Sequence, residues 1–124
     1  MKLTASDTRT RNVDFSGTWR NQRGSEMNLT MAAGGAVAGT YHSRVGGPMT
    51  SPIVGKANGD QIVFFVDWMP GSMTTWAGQL LTTASSAEVL ETVWLNTRNV
   101  SQSDEPYSGW SGIRTGGDLF TRVS

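Results

Sequence analysis

The chain has no cysteine and a single histidine, His42, and these two scarcities remove much of the chemistry a small domain can carry. Without thiols there is no disulfide framework, no thiolate nucleophile and no Cys-based metal site, and the compartment stays open because a secreted barrel can do without bridges. One imidazole argues against a multi-histidine metal centre or a serine triad within the chain. Net charge is missing too. Ten basic and ten acidic residues cancel, which argues against nucleic acid or an anionic membrane surface as partner. No run approaches the ~20 apolar residues of a membrane-spanning helix, and no segment holds the 3.6-residue period of an amphipathic helix over ten or more positions. Met1 to Asp14 carries Lys2, Arg9 and Arg11 among small polar residues and lacks the apolar stretch of a secretory signal. Residues 1–14 therefore read as a disordered tail, and residues 15–124 as one domain large enough to bury a core.

What the chain does have is fifteen Gly, five Trp and many Ser, Thr and Val, a composition of short strands and tight turns. Alternation predicts strands over Phe15 to Asn21, Ser25 to Met31, Val37 to Ser43, Ser51 to Lys56 (weak), Gln61 to Trp68, Ser72 to Gln79, Ala87 to Asn96 and Arg114 to Val123. Asn58-Gly59 is a strong hairpin signal. Arg44 to Thr50, with Gly46, Gly47 and Pro48, is too glycine-rich for a strand and reads as a mobile loop. Asn99 to Trp110 reads as a polar loop. His42 points outward, as a solvated surface residue.

The stretch Ser72-Met73-Thr74-Thr75-Trp76-Ala77-Gly78-Gln79 is the most informative. A period of two puts Ser72, Thr74, Trp76 and Gly78 on one face, which is polar and aromatic together. A core-facing strand would carry Val, Ile or Leu there, because a buried hydroxyl without a partner costs roughly 1–3 kcal/mol. Two hydroxyls beside an indole suit a small flat ligand that accepts hydrogen bonds. The same alternation, applied strand by strand, puts Trp19, Trp68, Trp76 and Trp94 on one side with Asn21, Ser25, Tyr41, Ser43, Ser72, Thr74 and Asp118. About eight strands in sequence order joined by short turns imply an all-β fold, an eight-stranded antiparallel up-and-down β-barrel with room for one small ligand. Polar inward groups near the strand ends favour a ligand with complementary donors and acceptors over trapped water.

The segments Gly17-Thr18-Trp19-Arg20-Asn21-Gln22-Arg23-Gly24-Ser25, Gly39-Thr40-Tyr41-His42-Ser43, Thr74-Thr75-Trp76-Ala77-Gly78-Gln79, Trp94-Leu95 and Asp118-Leu119-Phe120-Thr121 resemble the avidin and streptavidin family of biotin-binding proteins. The resemblance runs from Phe15 to Val123 in the family's order. It implies a non-enzymatic protein whose ligand is biotin and which needs no cofactor or metal. Asn21, Ser25 and Tyr41 would donate to the ureido oxygen, and Ser43 and Asp118 would accept from the ureido N–H groups. Thr74 would donate to the thioether sulfur, Ser72 to the tail carboxylate, and Trp68, Trp76 and Trp94 would wall the rings and chain. Trp19 would lie near the closed end.

Three departures bear on the tail. Gly47 stands where family members place an Asn that fixes the carboxylate, so that contact would come from backbone N–H or be lost, and amidation of biotin's tail is expected to cost little. The hairpin between Trp68 and Ser72 is short, and Asn96 stands where an apolar pocket residue is usual. Outward-pointing Phe65, Val93 and Leu95 suggest an interface. Trp110 resembles the family Trp that reaches into a neighbouring subunit's site, favouring a homotetramer over a dimer. The resemblance implies a secreted or extracellular protein, with a cytoplasmic one left open. Two alternatives stand beside it: a lipocalin-like carrier of another apolar ligand, and a barrel enzyme using Asp118 and Tyr41 for acid–base work. The carrier reading suffers from the short chain and the absence of a helical segment near its end. The enzyme reading suffers from the lack of a second base or nucleophile on the inward face.

Overall fold

The computed structural model of the protein describes residues 12–44, 49–85, 87–100 and 112–124. Its strands are β1 (Gly17–Asn21), β2 (Glu26–Met31), β3 (Ala36–Ser43), β4 (Met49–Asn58), β5 (Gln61–Asp67), β6 (Ser72–Thr82), β7 (Glu88–Arg98) and β8 (Ile113–Arg122). Each pairs antiparallel with the next, and β8 returns to β1, so the sheet closes into an up-and-down barrel of eight strands. Closure removes both sheet edges and leaves an interior of side-chain width.

Alternation is strict where the core is made. Along β5, Ile62, Phe64 and Val66 are buried while Gln61, Val63, Phe65 and Asp67 face out. β5 follows β4 through a two-residue turn, since Asn58 pairs with Gln61, and Gly59 takes the left-handed φ of +63° that such a turn demands. Inward residues of all the strands, among them Leu29, Val37, Ile53, Ile62, Phe64, Leu80, Leu90 and Phe120, form one apolar cluster. Trp19 is sealed within it. Its Nε1–H donates to the Phe15 carbonyl at 2.9 Å, and the Arg122 guanidinium sits 4.3 Å from its ring centroid. Arg122 also donates to the carbonyls of Ser16 and Asp14, which fastens the entry of the chain to the last strand. Of the expected tail, Val13 packs partly buried against the core; residues 1–11 lie outside the described residues.

Several strands run longer than their composition predicts. β4 starts at Met49, inside the segment read as a loop, because Ser43 pairs with Met49 and His42 with Thr50. The His42 ring also hydrogen-bonds the Thr50 hydroxyl, so it is half-buried rather than freely solvated. β6 extends to Thr82 and β7 to Arg98, paired in register from Thr82 with Glu88 through Ser72 with Arg98. In this up-and-down order the ends of β1, β3, β5 and β7 and the starts of β2, β4, β6 and β8 share one rim. The polar inward residues were read from those ends.

Candidate ligand-binding site

That rim opens into a cavity of about 730 Å³, within the range typical of small-molecule sites. Ten residues singled out from the sequence line it together: Asn21, Ser25, Tyr41, Ser43, Trp68, Ser72, Thr74, Trp76, Trp94 and Asp118. The other two, Gly47 and Trp110, lie outside the described residues. Trp19 is buried in the core and does not line the cavity.

The base of the cavity is a network with fixed donor and acceptor directions. The Asn21 side-chain oxygen accepts from the backbone N–H groups of Arg23 and Ser25, each at 3.0 Å, which locks the amide and turns its NH2 inward. One of those N–H groups donates to the Tyr41 hydroxyl oxygen at 3.3 Å. Tyr41 therefore already accepts, and its own O–H is left to donate. Burial pushes the Tyr41 pKa well above the ordinary value of 10, and the charge of Asp118 adds to the effect, while hydrogen bonding with Ser25 and the charge of Arg23 oppose it. The phenol is thus neutral at any physiological pH. Ser25 is fully buried and accepts from the Arg44 backbone N–H at 2.9 Å.

Opposite these donors stands Asp118. Its two carboxylate oxygens accept from Trp76 Nε1–H and Gln22 Nε2–H, each at 3.0 Å. Each oxygen keeps lone-pair capacity for a further donor. The walls are aromatic. Trp76 stacks between Phe64 and Tyr41, with centroids 5.0 and 4.9 Å away, and Trp68 meets Tyr41 edge-on at 5.6 Å. Trp94 gains its place from Gly116, its cross-strand partner, where a Cβ would overlap the indole.

Nearer the mouth, Asn96 supplies a polar wall. Its Nδ2 lies 3.1 Å from the Met73 carbonyl, which can only accept, so the atom there is the donor. The same NH2 reaches Thr74 Oγ1 at 2.8 Å and Ser72 Oγ at 3.2 Å. Trp68 Nε1–H donates to Thr74 as well, at 2.8 Å. With two donors pointing at its oxygen, the Thr74 hydroxyl must spend its hydrogen elsewhere, and the open direction is the cavity. The arrangement as a whole can bind a flat polar head against an acceptor and several donors, with an apolar body between indoles.

Gln22, Arg98 and Arg114 line or support this site and were not singled out from sequence. Gln22 was read only as part of a turn, yet it bridges to β8, also accepting from the Leu119 N–H at 2.9 Å. Among the described residues no cluster of three or more His, Cys, Asp or Glu could hold a metal.

A model of the Avidin family matches residues 9–123. The chain belongs to the Avidin family. Avidin-related protein 4/5 of Gallus gallus is 31% identical over 133 residues, spanning 99% of this chain and 87% of the relative. Avidin of Gallus gallus is 28% identical over 135 residues, with the same coverage. Among solved structures, a biotin binding protein from chicken superposes with a TM-score of 0.78 at 28% identity, covering 93% of this chain and all of that one. Xenavidin gives 0.79 at 28%, covering 91% of this chain and again the whole of the other. The avidin barrel thus accounts for nearly the whole domain, including the strand that supplies Asp118.

Proposed function

We propose that this avidin-family barrel binds biotin tightly and without covalent chemistry. The observation that carries the reading is the opposition at the cavity base of neutral donors, Asn21 and Tyr41 with Ser25 behind them, to the Asp118 acceptor. A cyclic urea has one carbonyl oxygen and two N–H groups and fits that opposition. The three donors polarise the ureido oxygen much as an oxyanion hole would, while Ser43 and Asp118 take the N–H groups. Thr74 donates to the thioether sulfur, Ser72 contacts the tail, and Trp68, Trp76 and Trp94 enclose the apolar parts. Biotin is the ligand and not a cofactor, and no reaction follows binding. The working form is a homotetramer in which Trp110 of each chain completes a neighbour's site, and at Gly47 a contact to the tail would come from backbone N–H or be lost. The same reading makes it an extracellular protein, which its membership of the Avidin family supports.

Biotin titration followed by tryptophan fluorescence and thermal unfolding tests this directly. A ligand that binds only the folded state adds RT ln(1 + [L]/Kd), about 4 kcal/mol at a thousandfold excess over Kd. A large rise in Tm is expected with biotin. In Asp118→Ala the ligand loses a charge-assisted bond worth about 1.5–3 kcal/mol, so dissociation should speed accordingly. No shift in Tm would end the biotin reading, and an unchanged dissociation rate would remove Asp118 from the site.

A further inference from the structure

We propose that Arg98 and Arg114 form an anion subsite at the mouth that selects ligands whose tail ends in a carboxylate over the corresponding amides. The proposal rests on the biotin reading and reverses the expectation drawn from Gly47 alone. It starts from register. The inward row of β7 continues past Asn96 to Arg98, and that of β8 continues from Asp118 and Gly116 to Arg114. Arg114 pairs across the strands with Asn96, and Arg98 with Ser72. Both arginines line the cavity. Two guanidinium groups are thus carried on adjacent strands at the level where the neutral donors of Ser72 and Asn96 end.

Charge makes the argument specific. Among the described residues the ion pairs are Arg20 with Glu26 and Arg122 with Glu88, so neither mouth arginine is neutralised by a described carboxylate. The only described carboxylate lining the cavity is Asp118 at its base. Arg114 lies four residue steps along the strand from it, about 13 Å at ~3.3 Å per residue. Among the described residues, the cavity thus carries its one carboxylate at the base, with Arg23 also lining it, and two guanidinium groups at the mouth. A molecule with a urea at one end and a carboxylate at the other, joined by an apolar body, is oriented by both ends at once. The rim that carries Arg98 is also braced. The Asn99 N–H donates to the Gly71 carbonyl at 3.0 Å, and the Asn99 side chain packs where a Cβ at Gly71 would stand. A guanidinium presents paired N–H groups that match a carboxylate and find no such match in an amide.

Both arginines are exposed, so the effect is moderate and screened by salt. Direct competition between biotin and biotinamide for the intact protein measures it. The wild type should prefer biotin by about three- to tenfold at low ionic strength, with the preference shrinking at high ionic strength. In Arg98→Gln/Arg114→Gln it should fall to near unity. Equal affinity for acid and amide in the wild type overturns the proposal, as does a preference that survives in the double variant, which would assign the carboxylate to Ser72 or the loop backbone. Binding of neither compound would overturn the biotin reading itself, and this one with it.

Discussion

At the scale of single residues, the site is built from side chains whose hydrogen-bonding freedom has been used up in all but one direction. Tyr41 shows the physical consequence most clearly. Its hydroxyl accepts from Asn21 and lies among buried rings, so ionisation would place a phenolate beside Asp118 with little water to stabilise it. The folded state therefore holds this proton more strongly than the unfolded chain, whose tyrosines titrate near 10. Above that pH the unfolded state loses its proton first, so stability is complete below ~10 and falls as pH rises, by about 1.4 kcal/mol per unit for this group. Urea unfolding at a series of alkaline pH values should show that decline, and Tyr41→Phe should flatten it by one proton's slope. An unaltered slope in the variant would mean that Tyr41 ionises in the fold as readily as in water.

At the scale of strands, what was legible in the sequence was what a period of two records. Ser72, Thr74 and Trp76 declare their face because burial alternates along β6, and the same holds for Tyr41 and Asp118. Gln22 had no such signal. Its partner lies 96 residues away across the β1–β8 seam, and a turn residue has no periodicity to betray an inward reach. Arg98 and Arg114 were hidden by strand ends. The β7 pattern dissolves into polar residues after Asn96, and only pairing with β6 carries the strand on to Arg98. Gly116 marks a different limit, because a missing side chain is visible in sequence while the group it admits is not. Here that group is Trp94. Gly116→Ala should push the indole toward the cavity, since overpacking costs roughly 1–3 kcal/mol and a half-buried ring can move to relieve it. Calorimetry should find the barrel folded, and biotin affinity at least about tenfold weaker, which is ~1.4 kcal/mol. Full affinity would show that Trp94 can shift without narrowing the pocket.

At the scale of the molecule, the outer surface is as informative as the cavity. Register stacks Val63, Ala77, Val93 and Gly117 in one cross-strand row, with Lys56 at its end, and Val54, Phe65, Thr75, Leu95 and Thr115 in the next. A third row holds Met73, Thr97 and Ile113, with Asp67 at its end. Val93 is 61% exposed, and Val54, Val63, Phe65, Leu95 and Ile113 are exposed with it. Scattered exposed apolar residues need no explanation, but contiguous rows without a charge at their centre exceed what a free monomer normally tolerates. The small residues Ala77, Gly117, Thr75 and Thr115 leave the patch flat enough for a second barrel to approach closely. We therefore expect this face to be a subunit contact of the proposed homotetramer, with Val93 near its middle. Val93→Glu then puts a carboxylate into an apolar contact at a cost of more than about 3 kcal/mol, whereas in an isolated barrel the same substitution stays in water and changes stability by only about 0.5 kcal/mol. Light scattering should report a smaller particle for the variant, with the β circular dichroism of the wild type kept. If the variant retains the wild-type mass, the patch does not hold the assembly together, and the exposed rows must face something other than another copy of this chain.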